Sequence, residues 1–438
     1  MTVISDLKEY GIVGAGGAGF PTYVKMGNPA EILVVNAAEC EPLLHKDKEI
    51  LSRHTERFFD GLDICRELVG AKRCIIGIKK KYTDLIKKLQ DCCSLTSEIF
   101  PLEDFYPAGD EITLIYETTG RVVAAGKLPI TQSIVVQNVE TILNVGNQRP
   151  VTTKFLTIAG DVRNPATLEV PVGTAFRHLI QQAGPLSKFF DVLVGGPMMG
   201  RLAESLDEPV TKTTGGLIVL PSEHELALRY KTAASGKRVT TIGKSACDQC
   251  AMCTDLCPRY LLGHPIQPHR TMRSLLFSSG ISKADPITTH NLFCCECNLC
   301  SLISCPEGLY PAQVCILNKR ALMNNKLRYS GEAINRAHPL IAYRRTPMKK
   351  IMSRLGLDRF KNKGPLLDLR FEPDQLQIQL RQHIGALATP LVKAGDEVGY
   401  AQKIATVGDG LGAEIHSPVS GIASVVTEHH IVIDRLKR

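Results

Sequence analysis

Cys247-Asp248-Gln249-Cys250-Ala251-Met252-Cys253-Thr254-Asp255-Leu256-Cys257-Pro258 sets three cysteines two residues apart and a fourth three residues further on, directly before a proline. In this C-x2-C-x2-C-x3-C-P spacing the loop turns three thiolates toward three corners of a [4Fe-4S] cubane, while the displaced fourth reaches a neighbouring cluster. A second run, Cys294-Cys295-Glu296-Cys297-Asn298-Leu299-Cys300-Ser301-Leu302-Ile303-Ser304-Cys305-Pro306, repeats the pattern with an extra cysteine at 295 and one extra residue before Cys305. The expected ligand sets are Cys247, Cys250, Cys253 and Cys305 for one cluster, and Cys294, Cys297, Cys300 and Cys257 for the other. The insertion leaves Cys305 the ligand that the spacing constrains least.

Paired C-x2-C also binds zinc. A third cysteine at the same interval, a fourth before proline and repetition of the whole unit favour iron and sulfide. Cys295 reads as a spare thiol, and Cys40, Cys65, Cys74, Cys92, Cys93 and Cys315 as small buried hydrophobes. Nine of the fifteen cysteines lie between Cys247 and Cys305. Asp6, Lys8 and Glu9 interrupt any apolar leader at the start of the chain, so a cytoplasmic, reducing setting is expected, where metal rather than disulfide accounts for the clustering. Two clusters in one chain imply one-electron transport.

Outward from the cysteines, region 236–325 is expected to be a helical two-cluster domain. Residues 1–150 alternate between short apolar runs (Ile32 to Val35, Cys74 to Ile78) and helical spacing (Glu49 to Leu68, Tyr82 to Leu89), the signature of an α/β layer. Residues 151–235 read strand, turn, strand, helix, with Gly184 stopping the helix, as a β-grasp unit opens. After a connector at 326–370, residues 371–438 alternate strand-length segments with Gly-Asp and Ser-Pro turns, a small all-β unit.

The chain has 438 residues, 44% hydrophobic and 22% charged, ordinary for a globular protein of several domains. No apolar run approaches the roughly 18 residues of a bilayer helix. The net charge of +8 is misleading as a whole-chain figure: residues 319–363 carry 13 Lys or Arg against Glu332 and Asp358, so the remainder is slightly acidic. That stretch reads as a solvated basic connector or as a docking surface for an acidic partner, and no nucleic-acid motif accompanies it.

Gly14-Ala15-Gly16-Gly17-Ala18-Gly19-Phe20-Pro21 contains G-x-G-x-x-G, whose glycines let backbone N–H groups approach a phosphate. Lys8-Glu9-Tyr10 interrupts the strand that should precede a dinucleotide fingerprint, which disfavours a plain dehydrogenase. Asn36-Ala37-Ala38-Glu39-Cys40-Glu41-Pro42, Tyr106-Pro107-Ala108-Gly109-Asp110-Glu111 and Val136-Gln137-Asn138-Val139-Glu140-Thr141 follow in order. Together the four segments resemble the flavin- and NADH-binding subunit of respiratory complex I and its RnfC relatives. The resemblance implies FMN and NADH as cofactors. Gly14, Gly16 and Lys25 would face the flavin phosphate and ring edge, with Gly17 and Gly19 completing the loop. Asn36, Glu39, Tyr106, Gly109, Glu111 and Asn138 would line the flavin pocket, and Phe20 and Glu41 would lie on the NADH side. Ala15 and Ala38 depart from the complex I pattern, which has arginine and an acid there.

Residues 154–200, with the turn Gly195-Gly196-Pro197-Met198-Met199-Gly200, resemble an SLBB domain, a β-grasp unit associated with soluble-ligand and corrinoid binding. Val392 to Val398 and Ile415 to Gly421 resemble a barrel-sandwich hybrid, but no lysine lies between Lys403 and Lys437 to carry a covalent cofactor. RnfC usually places that barrel first; here it is last. This order, with Cys257-Pro258-Arg259-Tyr260-Leu261-Leu262-Gly263-His264-Pro265 and the second cysteine run, is similar over essentially the full length to the PduS-type cobalamin reductases of propanediol-utilisation microcompartments. The fold class implied is multidomain α/β plus β: an N-terminal α/β flavin-binding domain, an SLBB-like β-grasp domain, a helical two-[4Fe-4S] ferredoxin-like domain and a C-terminal all-β barrel-sandwich hybrid. The function implied is an NADH-dependent flavin and iron–sulfur oxidoreductase that reduces cobalamin toward cob(I)alamin for a B12-dependent diol dehydratase pathway. A corrinoid adenosyltransferase and microcompartment shell proteins would be its partners. The alternative is an RnfC-like electron-transfer subunit passing electrons from NADH to a separate reductase or membrane complex.

Overall fold

The computed structural model describes residues 2–277, 286–332 and 335–436. In the first region Ile32–Ala37, buried along nearly its whole length, is one of the two inner strands of a four-stranded parallel sheet. The order is Ser97–Leu102, Arg73–Lys79, Ile32–Ala37, Ile134–Asn138. Successive strands step away from Ile32–Ala37 on one side before the chain returns to its other side. The carboxyl ends of Ile32–Ala37 and Ile134–Asn138 therefore flank a topological switch point, where open α/β sheets leave a crevice.

The helix expected over Glu49 to Leu68 is two helices, Lys46–Arg53 and Thr55–Val69, because His54 leaves helical geometry at φ −119°, ψ 34°. The second packs closely on Val139–Asn147. A Cβ at Gly61 would lie 2.1 Å from the Ile142 carbonyl oxygen, and one at Gly146 would lie 2.2 Å from that of Arg57.

The β-grasp region has a six-stranded sheet, in the order Leu366–Leu367, Ala166–Pro171, Thr153–Gly160, Gly216–Pro221, Phe190–Val194, Arg201–Leu202. Helix Phe176–Ala183 buries Phe176, Leu179 and Ile180 on it and ends at left-handed Gly184. The C-terminal region is a pair of small antiparallel sheets around Leu376, Ile378, Ile404, Ile415 and Ile433.

The basic segment is folded rather than free. Thr346–Pro347 pairs antiparallel with Phe105–Tyr106, and Leu366–Leu367 forms the edge strand of the β-grasp sheet. Helix Met348–Arg354 buries Met348, Ile351 and Met352 in a core shared with Leu220 and Leu302. Arg344 pairs with Asp255 at 3.0 Å and Arg345 with Glu117 at 2.6 Å, so two of its cations strap the cysteine-bearing and N-terminal regions together. Lys349, Lys350 and Arg354 remain exposed. Among the described residues no helix is long and apolar enough to cross a membrane.

Candidate functional site

A cleft of about 690 Å³ opens at the carboxyl ends of Ile32–Ala37 and the edge strand Ile134–Asn138. Asn36 and Asn138 end those strands as register partners, and the amide of each is committed to the cleft's framework. Asn36 Nδ2 donates to the Gly109 carbonyl at 2.7 Å and its Oδ1 accepts from Ala38 N at 3.2 Å, tying the strand end to the Pro107–Gly109 turn. Asn138 Oδ1 caps the helix Val139–Asn147 by accepting from Glu140 N at 3.0 Å, while its Nδ2 donates to Asp47 at 2.8 Å. Lys25 donates to Glu111 at 2.7 Å and to the Val136 carbonyl at 3.2 Å.

Gly14, Gly16, Gly17, Phe20, Glu39, Glu41 and Gly109 join these residues on the cleft wall. Two expected residues do not. Gly19 is turned away, packed so that a Cβ would meet Thr213 at 2.9 Å and the His383 backbone at 3.3 Å, and its carbonyl accepts from Ile384 N. The glycine loop is thus braced from behind by the β-grasp and C-terminal regions. Tyr106 is buried against the second cysteine run, its hydroxyl donating to the Cys297 carbonyl at 3.0 Å with Glu41 3.4 Å away.

The charges under the cleft could not be read from spacing. Lys46, buried, pairs with Asp47 at 2.5 Å and with Glu140 at 3.2 Å, and Lys154 of the β-grasp region pairs with Glu140 and donates to the Ala15 carbonyl. Glu39, at φ 33°, accepts from Asp47 N; burial, then repulsion by Asp47, lifts its carboxyl to about 7. Burial likewise lifts Glu41 to about 7 against its hydrogen bonds.

Glu41 also explains the glycine-rich turn of the β-grasp region, which is more than a tight connection. The carboxylate accepts from Met198 N at 2.8 Å and Met199 N at 3.0 Å. A Cβ at Gly196 would lie 2.4 Å from Glu41 Oε2. From the other side Asn298, between Cys297 and Cys300, donates to the Met198 carbonyl at 2.7 Å. Three regions therefore meet at one turn beside the cleft.

The two cysteine runs share the same kinks around their first three regularly spaced cysteines. Gln249 and Ala251 in the first, and Glu296 and Asn298 in the second, take left-handed φ between 59° and 63°, at matching positions between the cysteines. That alternation turns successive N–H groups inward around an anion, as a reduced-sulfur cluster requires. Cys247, Cys250, Cys253 and Cys305 line one cavity. The extra residue before Cys305 is absorbed in a π-helical turn over Cys300–Ser304, which is how Cys305 still reaches that cavity. Cys257, Cys294, Cys297 and Cys300 form a second group within electrostatic reach of one another. Among the described residues no three ligand side chains converge closely enough for a single ion; Cys247, Cys250, Cys253 and Cys305 surround a space instead.

Cys315, buried on the helix Pro311–Asn324, also faces Cys294, Cys257 and Cys253, a neighbour no spacing rule indicates. Of the other cysteines expected to be buried, Cys65 and Cys74 are, whereas Cys92 is exposed. Cys295 and Cys297 reach through to the wall of the large cleft.

The residues fit the groups such a site would take. The cleft has room for a flavin nucleotide. A Cβ at Gly17 would meet nothing within 4 Å, so the loop is open toward the cleft. Gln137, on the wall between Val136 and Asn138, is 3% exposed and its Nε2 has no partner, a donor waiting for a ligand acceptor.

Comparison with known proteins matches four segments of the chain. Residues 7–147 match the Nuo51 FMN-binding domain, 155–202 the SLBB domain, 246–310 the 4Fe-4S dicluster domain and 361–435 the RnfC barrel sandwich hybrid domain. The cobalamin reductase PduS of Citrobacter freundii is 39% identical over 99% of this chain and 96% of its own. That of Salmonella typhimurium is 39% identical over 98% and 95%. A component of the Na(+)-translocating ferredoxin:NAD(+) oxidoreductase complex of Acetobacterium woodii is 36% identical over 57% of this chain and 56% of its own. Matching those relatives at 39% identity over nearly the full length of both chains, the chain belongs to the PduS cobalamin reductase family.

Proposed function

We propose that this protein uses NADH to reduce cobalamin toward cob(I)alamin, with FMN in the large cleft and two [4Fe-4S] clusters held by the two cysteine groups. The observation that carries the reading is that Cys295 and Cys297, in the second cysteine run, share the wall of the cleft that holds the glycine loop. Bound FMN would supply the conversion of a two-electron hydride from NADH into single electrons, and the clusters would supply the single-electron relay.

The chain's own contribution is placement. Gly14, Gly16 and Gly17 bring backbone to the phosphate end, where Lys25 adds a positive charge held by Glu111. Asn36 and Gly109 shape the floor, and Gln137 Nε2 offers a donor. Glu41 is occupied with the Met198 and Met199 amides, so it shapes the open side of the cleft through that turn. Cys257, Cys294, Cys297 and Cys300 would hold the cluster nearer the flavin, and Cys247, Cys250, Cys253 and Cys305 the further one. Cys250 is exposed, which makes the further cluster the exit toward an external acceptor.

Cob(I)alamin formation from NADH is energetically uphill for most corrin states, so an adenosyltransferase that consumes the product is the fitting partner, inside a microcompartment with shell proteins around it. Anaerobic purification with iron, sulfide and flavin quantitation should give about eight irons and one FMN per chain. NADH-driven cob(I)alamin formation by that material supports the proposal. Cluster reduction by NADH with no corrin turnover would point instead to an RnfC-like electron-transfer subunit serving a separate reductase, the activity class of its Acetobacterium relative.

A further inference from the structure

Arg259 follows Cys257 by two residues, on the short helix Pro258–Leu261. Its guanidinium makes a bidentate pair with Asp110, Nη1 to Oδ1 at 2.6 Å and Nη2 to Oδ2 at 2.8 Å. Both side chains are nearly buried, at 12% and 14% exposure. Asp110 caps the helix Glu111–Thr119 by accepting from Thr113 N at 3.0 Å and lines the flavin cleft. The pair therefore bridges the helix end beside the cleft and the loop carrying Cys257.

We propose that Arg259 raises the reduction potential of the cluster held by Cys257, Cys294, Cys297 and Cys300, with Asp110 anchoring the guanidinium against the flavin cleft and partly offsetting its charge. This rests on the cofactor placement above and adds a positioning residue to it. One-electron reduction makes a cluster more negative by one charge, so a fixed cation nearer than its counterion favours the reduced form, and burial strengthens the effect. The guanidinium belongs to the cluster's own loop: Cys257 is the N-cap residue of the four-residue helix that carries Arg259, whereas Asp110 belongs to a separate helix end on the cleft wall. Arg259 carries its charge at every accessible pH, so the bias is permanent.

The test is an anaerobic redox titration of the full-length, cluster-loaded protein, followed by electron paramagnetic resonance of each cluster. At a fixed poise Arg259→Gln should lower the reduced-to-oxidised ratio of one cluster about tenfold, equivalent to about 59 mV for one electron. Asp110→Asn should shift the same cluster the opposite way, and the double variant should return toward the starting value. Arg259→Lys keeps the charge and should move it least; with Asp110→Asn it carries the test if Arg259→Gln does not fold.

Iron and flavin content are measured for each variant. Full cofactor content with shifts below twofold in all variants overturns the inference while leaving the cofactor placement intact. Shifts of the same sign in both single variants overturn it as well, because loosened packing has no sign. Starting protein that lacks iron or flavin overturns the placement itself.

Discussion

Asn36 and Asn138 face each other across neighbouring parallel strands, and their side chains turn to opposite duties. Asn36 holds the Gly109 turn on one side of the cleft, and Asn138 holds Asp47 and a helix end on the other. The cleft is open between them because both amides are already satisfied by protein. Removing either should loosen a wall rather than delete a ligand contact.

Asn138→Ala removes a helix cap and leaves one Asp47 oxygen without its donor. Together these should cost about 1–2 kcal/mol of stability. Chemical denaturation would read the loss, and flavin fluorescence should show weaker FMN retention. Unchanged denaturation midpoints would mean that the cap and the Asp47 bond carry no weight.

Gly196→Ala places a methyl group where Glu41 Oε2 stands, 2.4 Å away. Either the carboxylate moves or the turn does, and either way the amide of buried Met198 loses its acceptor, at about 1–3 kcal/mol for a buried group left unpaired. Thermal unfolding should register a clear drop. Glu41→Ala in the same chain makes room for the methyl group, so the double variant should be less than additive.

Glu39 should impose a pH slope on stability. Its carboxyl rises from 4.5 to about 7 on folding, so between those values the native state holds a proton that the unfolded chain has released. The contribution is complete below about 4.5 and disappears as pH climbs through about 7. Unfolding free energy measured across this range should fall less steeply with rising pH in Glu39→Gln than in the parent. Parallel curves would refute the assignment.

Iron content separates the nine clustered cysteines. Cys305→Ala should lose the further cluster and fall to about four irons per chain, as two independent four-iron sites require. Deleting Ser304 shortens the π-turn to the C-x3-C spacing of the first run and should retain close to eight. Cys295→Ala should also keep its iron, since Cys294, Cys297 and Cys300 complete the triplet without it. Loss of iron in Cys295→Ala would reassign the second site.

The cysteine spacing was legible because a cubane accepts few loop lengths, and both runs do adopt the same left-handed kinks at Gln249, Ala251, Glu296 and Asn298. The glycine loop and the segments around Asn36, Gly109 and Asn138 were legible for a related reason: each is a local turn at a strand end. Tyr106 and Gly19 lie off the cleft wall because a residue inside a motif can face either side of the turn it belongs to, and packing decides which. The break at His54 and the pairing of Leu366–Leu367 with Thr167–Leu168 lack a local signal, the first being one residue's dihedral angles and the second a contact between distant segments.

Sequence by itself determined the kinds of chemistry this chain can host, since ligand spacing and glycine placement are properties of a few consecutive residues. Tertiary structure alone decided where those chemistries meet. It brought Cys295 and Cys297 to the cleft of Gly16 and Asn138, closed the Gly196 turn on Glu41 and set Arg259 against Asp110. Each of these is a contact between segments far apart in the chain, fixed by how the sheets and helices pack and invisible to any periodicity along it.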